Sequence, residues 1–382
     1  MYDGHQLRLL ILGASVRAAA QSASRTGCKV IAADQFADRD FRAICPEANA
    51  AIYPQGLVEF AMNAPESTWM YTGAMENYPE LVEQISKRHR LLGNGEEVVR
   101  KVRDPEQLSR FACFNGYYFP DTHRSEPSPW KRWLIKRMAS GGGLGIRHAD
   151  GSTHLKDGEV FQEWIDGVCG SAAFIAVRDE DVRLLYAAEQ LPDAPFLGAP
   201  AFHYAGSVTT RVWDATGPLG QATLHRLGID LKHHFGLRGL FGVDFIVREG
   251  KIWLLEINPR YTASMELFER MYEDSLIELQ IQTSLSTWPP IFREGFRPQA
   301  GRRCYQAKGI LYAQGDCHIT DRMSDRLWAM RGELDLADLP MGGGSIGKGH
   351  PVLTIFAEGD SREETMASLE EKANQLRALG IP

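Results

Sequence analysis

The sequence predicts an α/β protein that opens with a parallel sheet, and two observations carry this prediction. First, residues 7–13 form an apolar stretch ending in glycine, an Ala- and Ser-rich helical segment follows, and a second apolar stretch ends at Asp34. This order is a β-α-β unit, which starts a parallel sheet covered by helices. Second, strands alternate with turns up to Asn258, ending in a glycine-centred β-hairpin.

The chain has 382 residues, a length typical of two or three domains. We predict a parallel α/β domain over 1–104, a central domain over 105–290 and a small α/β domain over 291–382. The second boundary rests on the proline pair 289–290, which stops a preceding helix. The other predicted elements are helices over 14–25, 79–89, 105–114, 264–283 and 362–379, and strands over 28–34, 69–71, 133–136, 159–165, 309–313 and 352–357.

The composition is that of an ordinary globular protein, with 44% hydrophobic and 24% charged residues. A net charge of −7 argues against nucleic-acid binding, which usually needs a basic patch. No apolar run approaches the roughly 18 residues of a membrane helix, and the N-terminus has no signal-peptide pattern. The six cysteines are scattered without a C-x-x-C pair, which favours a reducing, cytoplasmic location.

The predicted β-hairpin carries the strongest functional pattern in the sequence. Glu256 and Asn258 are two residues apart on one strand and therefore share a face. An odd-length turn centred on Gly250 brings Asp244 opposite Glu256 on that same face. Two carboxylates and an amide oxygen form a set suited to Mg²⁺, and Arg260 follows to hold an anionic intermediate. A surface hairpin with solvated acids is the alternative, but Glu256 interrupts a very apolar strand.

A predicted strand delivers Lys136 to a glycine-rich loop at 140–145. Glycines let backbone N–H groups close on phosphate oxygens without steric clashes, and the lysine adds a positive charge. An exposed, mobile surface loop is the alternative interpretation. The glycines that we predict to cover a nucleotide are Gly141, Gly142, Gly143 and Gly145.

A third pattern, Glu163-Trp164-Ile165 followed by Asp-Gly, suits a hinge that holds a purine. Backbone groups would pair with the edge of the base, while Trp164 and Ile165 supply apolar walls. An edge strand with an alternating pattern is the alternative.

Two turns in the first region lie at strand ends, where parallel sheets bind their ligands. One turn carries Arg17, and the other carries Glu76 and Asn77. We predict that these three residues contact the substrate, although Arg17 also fits a structural position on a helix surface. The segment 13–18 only partly matches a dinucleotide fingerprint, because two of its glycines are replaced, so we do not predict NAD binding.

Taken together, these residues resemble the ATP-grasp superfamily, in its carboligase branch related to biotin carboxylase. The order of the elements matches, as do the twelve-residue step from Asp244 to Glu256 and the Glu-Ile-Asn-Pro-Arg run. The resemblance implies an α/β pre-ATP domain, a central ATP-grasp domain and a closing domain. It implies that Lys136 and either Lys101 or Arg103 bind the ATP phosphates and that the glycine loop covers them. It also implies that Glu163 and Ile165 hold adenine. Asp244, Glu256 and Asn258 would bind Mg²⁺ (or Mn²⁺), and Arg260 would hold an acyl phosphate.

The resemblance implies an ATP-dependent carboxylate–amine ligase that works through an acyl phosphate on small-molecule substrates, in a possible homodimer. Residues 261–266 differ from the sequence that follows the arginine in biotin carboxylases, which argues against bicarbonate and biotin chemistry. The chain is also similar to ATP-grasp proteins of one-carbon metabolism that use methanofuran- and methanopterin-type cofactors, which suggests addition of glutamate to tyrosine or tyramine. The alternatives are a bicarbonate-dependent carboxylase and a non-catalytic nucleotide-binding regulator.

Overall fold

A computed structural model describes residues 7–125, 128–150, 154–177, 182–192, 194–210, 217–285 and 296–381. The predicted boundary at 289–290 lies outside these residues. Within the described part of the chain, no helix is both long and apolar enough to cross a membrane.

The first region is a parallel sheet of five strands with helices on its faces, which confirms the predicted β-α-β unit. Residues Leu9 to Leu12 are fully buried, as expected for a parallel sheet that is covered on both sides. Its elements are β1 (Arg8–Leu12), α1 (Arg17–Ser24), β2 (Lys29–Asp34), α2 (Arg39–Ile44), β3 (Asn49–Ala50), α3 (Gln55–Asn63), β4 (Thr68–Tyr71), a 3-10 turn (Met75–Asn77), α4 (Pro79–Ser86), β5 (Arg90–Leu91) and α5 (Glu96–Val102). The strand order is β3-β2-β1-β4-β5.

The turns after β1 and β4 meet at the carboxyl edge of this sheet. The Ala14 amide donates a hydrogen bond to the Gly73 carbonyl over 2.9 Å. A Cβ at Gly13 would lie 2.1 Å from the Thr72 hydroxyl oxygen, so this close approach requires glycine. The predicted substrate residues of the second turn are therefore held at the edge where parallel sheets bind ligands.

The central region adds a small antiparallel sheet in the order β6-β9-β7-β8 and the first strands of a larger one. The small sheet carries Lys136 on β7 and the glycine loop between β7 and β8. The elements are α6 (Pro105–Asn115), β6 (Thr122–His123), β7 (Trp133–Arg137), β8 (Arg147–His148), β9 (Glu159–Glu163), β10 (Val168–Ala176), β11 (Val182–Gln190), a 3-10 turn (Pro195–Leu197), β12 (Gly206–Thr210), α7 (Gly217–Phe235), β13 (Gly239–Arg248) and β14 (Lys251–Asn258).

The last region completes the larger sheet. Its elements are α8 (Met265–Met271), α9 (Leu276–Leu285), β15 (Tyr305–Tyr312), β16 (Cys317–His318), α10 (Asp321–Met330), β17 (Leu336–Ala337), β18 (Ser345–Ile346), β19 (Pro351–Gly359) and α11 (Arg362–Ala378). The larger sheet has eight strands in the order β14-β13-β10-β11-β12-β15-β19-β17. Because β12 pairs directly with β15, the sheet runs without a break across the predicted boundary of the third domain.

The single helix predicted over 264–283 is wrong, since the structure has α8 and α9 with a break between them. The break is stabilised by side chains that accept hydrogen bonds from backbone amides at the start of α9. Glu269 accepts a hydrogen bond from the Leu276 amide over 2.7 Å, and the Ser275 hydroxyl accepts one from the Glu278 amide over 3.1 Å. Serine commonly caps a helix N-terminus in this way, so a new helix begins here.

Candidate active site

The β13–β14 hairpin brings Asp244 and Glu256 face to face, as the sequence predicted. The predicted odd-length turn is wrong. Arg248 pairs with Lys251, so the turn has two residues, Glu249 and Gly250, both with positive φ (52° and 72°). This is the backbone of a tight hairpin turn.

A β-bulge reconciles the tight turn with the facing carboxylates. Phe245 pairs with Leu254, whereas Asp244 pairs with Glu256, so Leu255 is the extra residue on β14. A bulge places two residues of one strand opposite one residue of the other and shifts all later pairs by one. Without it, the register set by the turn would pair Asp244 with Leu255.

Asp244 lies among hydrogen-bond donors that hold its carboxylate in place. Asn258 donates to Oδ2 over 2.9 Å, and Gln190 on β11 donates to Oδ1 over 2.8 Å. Burial, together with the negative charge of Glu256, raises the pKa of Asp244 to about 7. A cation bound between the two carboxylates would relieve this repulsion.

The Glu256 carboxylate lies beside two positively charged side chains. Its Oε2 lies 3.2 Å from Lys136 Nζ and 3.6 Å from Arg103 Nη1. Burial acts to raise the pKa of Glu256, but the charges of Lys136 and Arg103 prevail and lower it to about 2. The predicted phosphate-binding lysine therefore adjoins the predicted metal ligands.

Arg260 connects this group to the first region. Its Nη2 donates to Asn258 Oδ1 over 3.0 Å and to Glu76 Oε1 over 2.5 Å. Glu76 is only 1% exposed. Burial acts to lower the pKa of Arg260, but the charge of Glu76 keeps it above its usual range.

Of the two basic residues considered for the second phosphate contact, only Arg103 lies in the site. Its Nη2 is within 2.9 Å of Asn77 Oδ1 and of the carbonyl oxygens of Met138 and Ser140. Lys101 is 42% exposed and pairs with Glu97 over 2.6 Å. Arg103 thus links the predicted substrate residue Asn77 to the start of the glycine loop.

The glycine loop is docked against the segment 202–204. The Tyr204 amide donates to the Gly142 carbonyl over 3.0 Å. Gly143 has φ +82°, and a Cβ there would lie 1.9 Å from the Phe202 carbonyl oxygen. Only glycine fits this contact. By contrast, a Cβ at Gly141 would meet no atom of the described residues within 4 Å, and Gly145 has a positive φ of 78°.

The predicted purine hinge lies at the end of β9. The Glu163 and Trp164 amides donate to the carbonyls of Asp121 and Arg132, each over 2.8 Å, and Ile165 is buried. The Trp164 ring packs 5.9 Å from Phe202, so the hinge also touches the segment that holds the glycine loop. A cleft with about 340 Å³ of open space lies nearby, lined in part by Val102, Arg103, Lys136, Gln162 and Glu256.

Arg17 has a different environment from the other predicted substrate residues. It is 1% exposed, and its Nε donates to Asp338 Oδ1 over 2.8 Å. Its Nη1 pairs with Glu266, which also accepts from Lys308 over 2.7 Å. Arg17 is therefore engaged by carboxylates of the last region, and the structure does not bring it to the Asp244–Glu256 pair.

The arrangement fits a hard cation and a phosphate chain. Asp244, Glu256 and Asn258 offer oxygens on one face of the hairpin, the donor type that Mg²⁺ prefers. Among the described residues, no group of three or more His, Cys, Asp or Glu side chains is placed to hold a metal ion. A set of few protein ligands matches Mg²⁺, which takes its remaining oxygens from phosphate and water.

Sequence reasoning missed Gln190, which holds Asp244, and Tyr53, whose buried hydroxyl is affected by the charges of Glu76 and Arg260. Gln190 ends β11 and reaches Asp244 across the sheet. Tyr53 lies in a loop before α3, where the charges of Glu76 and Arg260 act on its hydroxyl. Neither residue stands in a recognisable motif, so only the strand order could have indicated them.

Residues 112–264 match the protein family described as the ATP-grasp domain. The matched region contains Lys136, the glycine loop and the complete β13–β14 hairpin. The chain therefore contains an ATP-grasp domain, as its sequence resemblance implied. No curated protein sequence matches the chain.

Solved structures share the fold over nearly the whole chain. The L-amino acid ligase from Bacillus licheniformis has a TM-score of 0.71 at 15% identity, covering 97% of each chain. N5-carboxyaminoimidazole synthetase from Staphylococcus aureus, complexed with ADP, has a TM-score of 0.68 at 13% identity, covering 97% of this chain and 99% of that one. Biotin carboxylase from Campylobacter jejuni has a TM-score of 0.66 at 14% identity, covering 94% and 89%. The predicted fold class is confirmed.

Proposed function

We propose that the protein is an ATP-dependent, ADP-forming ligase that joins a carboxylate to an amine through an acyl phosphate, with Mg²⁺ as its cofactor. The observation that carries this proposal is the meeting of Asp244 and Glu256 with Lys136, Arg103 and Arg260 in one site. The predicted enzyme class agrees with the ATP-grasp domain and with the names of the structural neighbours, an L-amino acid ligase and an N5-carboxyaminoimidazole synthetase.

Each charged group has a part in the proposed reaction. Mg²⁺, when bound, neutralises the charge that develops on the transferred phosphoryl group. Asp244, Glu256 and Asn258 would hold it. Lys136 and Arg103 now neutralise Glu256, and we propose that they turn to the phosphates of ATP, because phosphate oxygens then compete for their charge.

Arg260 would hold the acyl phosphate, since it adjoins the metal hairpin through Asn258 and points toward the first region through Glu76. Preorganised donors of this kind stabilise charge without reorganisation during the reaction. The glycine loop, docked on Phe202 and Tyr204, would exclude water, which otherwise hydrolyses an acyl phosphate.

The finer part of the proposal concerns the substrates. We propose glutamate as the acid and tyrosine or tyramine as the amine, in the formation of a methanofuran-type cofactor of one-carbon metabolism. The resemblance to ATP-grasp proteins of that metabolism supports this choice. The sequence 261–266 supports it indirectly, because it departs from that of biotin carboxylases.

ADP release by the purified protein with Mg·ATP tests the proposal across a panel of acid–amine pairs, with a separate bicarbonate well. We expect release that depends on one pair and yields a new amide mass. Release with bicarbonate alone would instead assign a carboxylase, like the biotin carboxylase among the structural neighbours. ATP binding without release in any well would favour a nucleotide-binding regulator.

A further inference from the structure

Three buried polar atoms beside Arg260 have no hydrogen-bond partner among the described residues. They are Glu76 Oε2, Arg260 Nε and the Tyr53 hydroxyl oxygen. Buried polar groups are almost always paired in folded proteins, so an orphaned group calls for an explanation such as a ligand. Three such groups in one place point to a binding position.

The three side chains lie close enough to act on one another. Glu76 Oε1 accepts from Arg260, which fixes the carboxylate and leaves Oε2 for another donor. The pKa of Tyr53 is raised by burial and by the charge of Glu76, while Arg260 opposes this shift. The Tyr53 ring packs edge-on against Tyr78 at 5.7 Å, and its hydroxyl oxygen is buried.

The chemistry of the three atoms defines the ligand that fits. A carboxylate oxygen and a phenol oxygen accept hydrogen bonds from a cation, while the guanidinium Nε–H donates to an oxygen. A primary ammonium offers three donors and a full positive charge, which a buried carboxylate oxygen favours strongly. A free anion such as bicarbonate carries no positive charge that could pair with the Glu76 carboxylate.

We propose that Glu76 Oε2 and the Tyr53 hydroxyl bind the ammonium group of the amine substrate, beside the acyl group held by Arg260. This inference rests on the proposed ligase function and names the residues that select its nucleophile. Charges then alternate along the site, from the acyl phosphate through Arg260 and Glu76 to the ammonium. Such alternation places the nitrogen next to the acyl carbon and disfavours a second anion. Once the ammonium has passed a proton to Glu76 Oε2, its lone pair can attack that carbon and displace phosphate.

Binding of primary amines to the full-length protein, held with Mg²⁺ and a non-hydrolysable ATP analogue, tests the proposal by calorimetry. The panel is tyramine, L-tyrosine and ethanolamine, each paired with the same molecule lacking its amino group. We expect at least one amine to bind and its desamino counterpart to bind at least about tenfold more weakly, as loss of a charged hydrogen bond implies.

Two variants and one control locate the site. Glu76→Gln should weaken the affinity for the amine about tenfold or more. It should leave the affinity for the ATP analogue within about twofold of the wild-type value. Tyr53→Phe, which leaves the Glu76–Arg260 pair intact, should weaken the amine by a smaller factor. Glu80→Gln is the matched control, since Glu80 on the neighbouring helix α4 is 57% exposed, and it should change neither affinity.

Several outcomes would overturn the proposal. If Glu76→Gln weakened the binding of the nucleotide and of the amine equally, Glu76 would act only through its contact with Arg260. If no amine bound better than its desamino counterpart while the ATP analogue still bound, the ammonium site would be refuted but not the ATP-dependent function. Failure of the ATP analogue to bind the wild-type protein would refute the proposed function itself.

Discussion

Asp244 and Glu256 face each other across β13 and β14 because Leu255 bulges out of the register that the hairpin turn sets. The bulge brings two like charges together at the place where Asn258, Lys136 and Arg260 also arrive. Bulges next to active sites commonly redirect a side chain in this way. The pair has opposite tendencies to bind protons, with the pKa of Asp244 raised to about 7 and that of Glu256 lowered to about 2.

Glu256→Gln should abolish turnover while ATP still binds. The substitution removes one charge from the metal site but keeps its size, so we expect ADP release to fall at least about 100-fold, the usual effect of losing one stabiliser of transition-state charge. Glu249→Gln, in the exposed turn of the same hairpin, is the control and should be fully active. Full activity of Glu256→Gln would refute the metal assignment.

Asp244→Asn should stabilise the protein increasingly as pH rises from 5 to 7.5. The folded-state pKa of Asp244, about 7, exceeds its unfolded value of about 3.9. The folded state therefore binds the extra proton, and stability is lost as pH rises through the folded pKa. The low pKa of Glu256 changes the stability only at pH values below this range.

The measurement is the melting temperature of both proteins against pH, without Mg²⁺. Glu269, whose pKa burial also raises to about 7, contributes equally to both proteins, so their difference isolates Asp244. A difference that stayed constant with pH would contradict the assigned pKa shift.

Arg103→Ala and Lys101→Ala should differ in their effect on ATP affinity. Arg103 adjoins Glu256 and the glycine loop, whereas Lys101 is exposed on α5 and pairs with Glu97. We expect the first substitution to weaken Mg·ATP about tenfold or more, as loss of a charged contact implies, and the second to change it less than about twofold, as exposed pairs contribute little. Equal effects by calorimetry would show that Arg103 does not bind phosphate.

Gly143→Ala should prevent the glycine loop from docking. The new methyl group would meet the Phe202 carbonyl oxygen, and alanine rarely adopts φ +82°. We expect the KM for ATP to rise about tenfold, since loops of this type close over the nucleotide. Gly141→Ala is the control, because its methyl group would meet none of the described residues within 4 Å. Unchanged kinetics in both variants would mean that docking is not needed.

Arg17→Met should lower stability without affecting ATP binding. Its removal would leave the buried Glu266 and the partly buried Asp338 without their main cation, and breaking a buried pair costs about 3–5 kcal/mol. Lys29→Met, at a 51% exposed position whose partner Glu47 is also exposed, should have little effect on the melting temperature, because exposed pairs contribute little. A stable Arg17→Met variant with weakened substrate binding would restore the predicted substrate contact.

The sequence was sufficient to predict features that depend on local periodicity. The alternation along β14 predicts that Glu256 and Asn258 share a face, and the apolar stretches around Asp34 predict the first sheet. The Leu255 bulge was not predicted, because a tight turn and a bulge together give the same facing pair as the odd-length turn that we expected.

Contacts between distant parts of the chain were beyond sequence reasoning. Arg17 meets Glu266 and Asp338, which lie 249 and 321 residues away, so no local pattern marks its partners. The break between α8 and α9 depends on a shorter-range contact, in which Glu269 of one helix accepts a hydrogen bond from the Leu276 amide at the start of the next. Such partners follow from the strand order and the packing of the whole chain.

The pairing of β12 with β15 has a consequence for how the chain could be divided. A cut between residues 285 and 296 would give two fragments, one with β12 and the other with β15 as an unpaired sheet edge. These edges are mutually complementary, and two ion pairs, Arg17 with Asp338 and Glu266 with Lys308, also join the two fragments. The two fragments would therefore be each other's natural binding partner, and the fold is suited to reassembly from separate pieces.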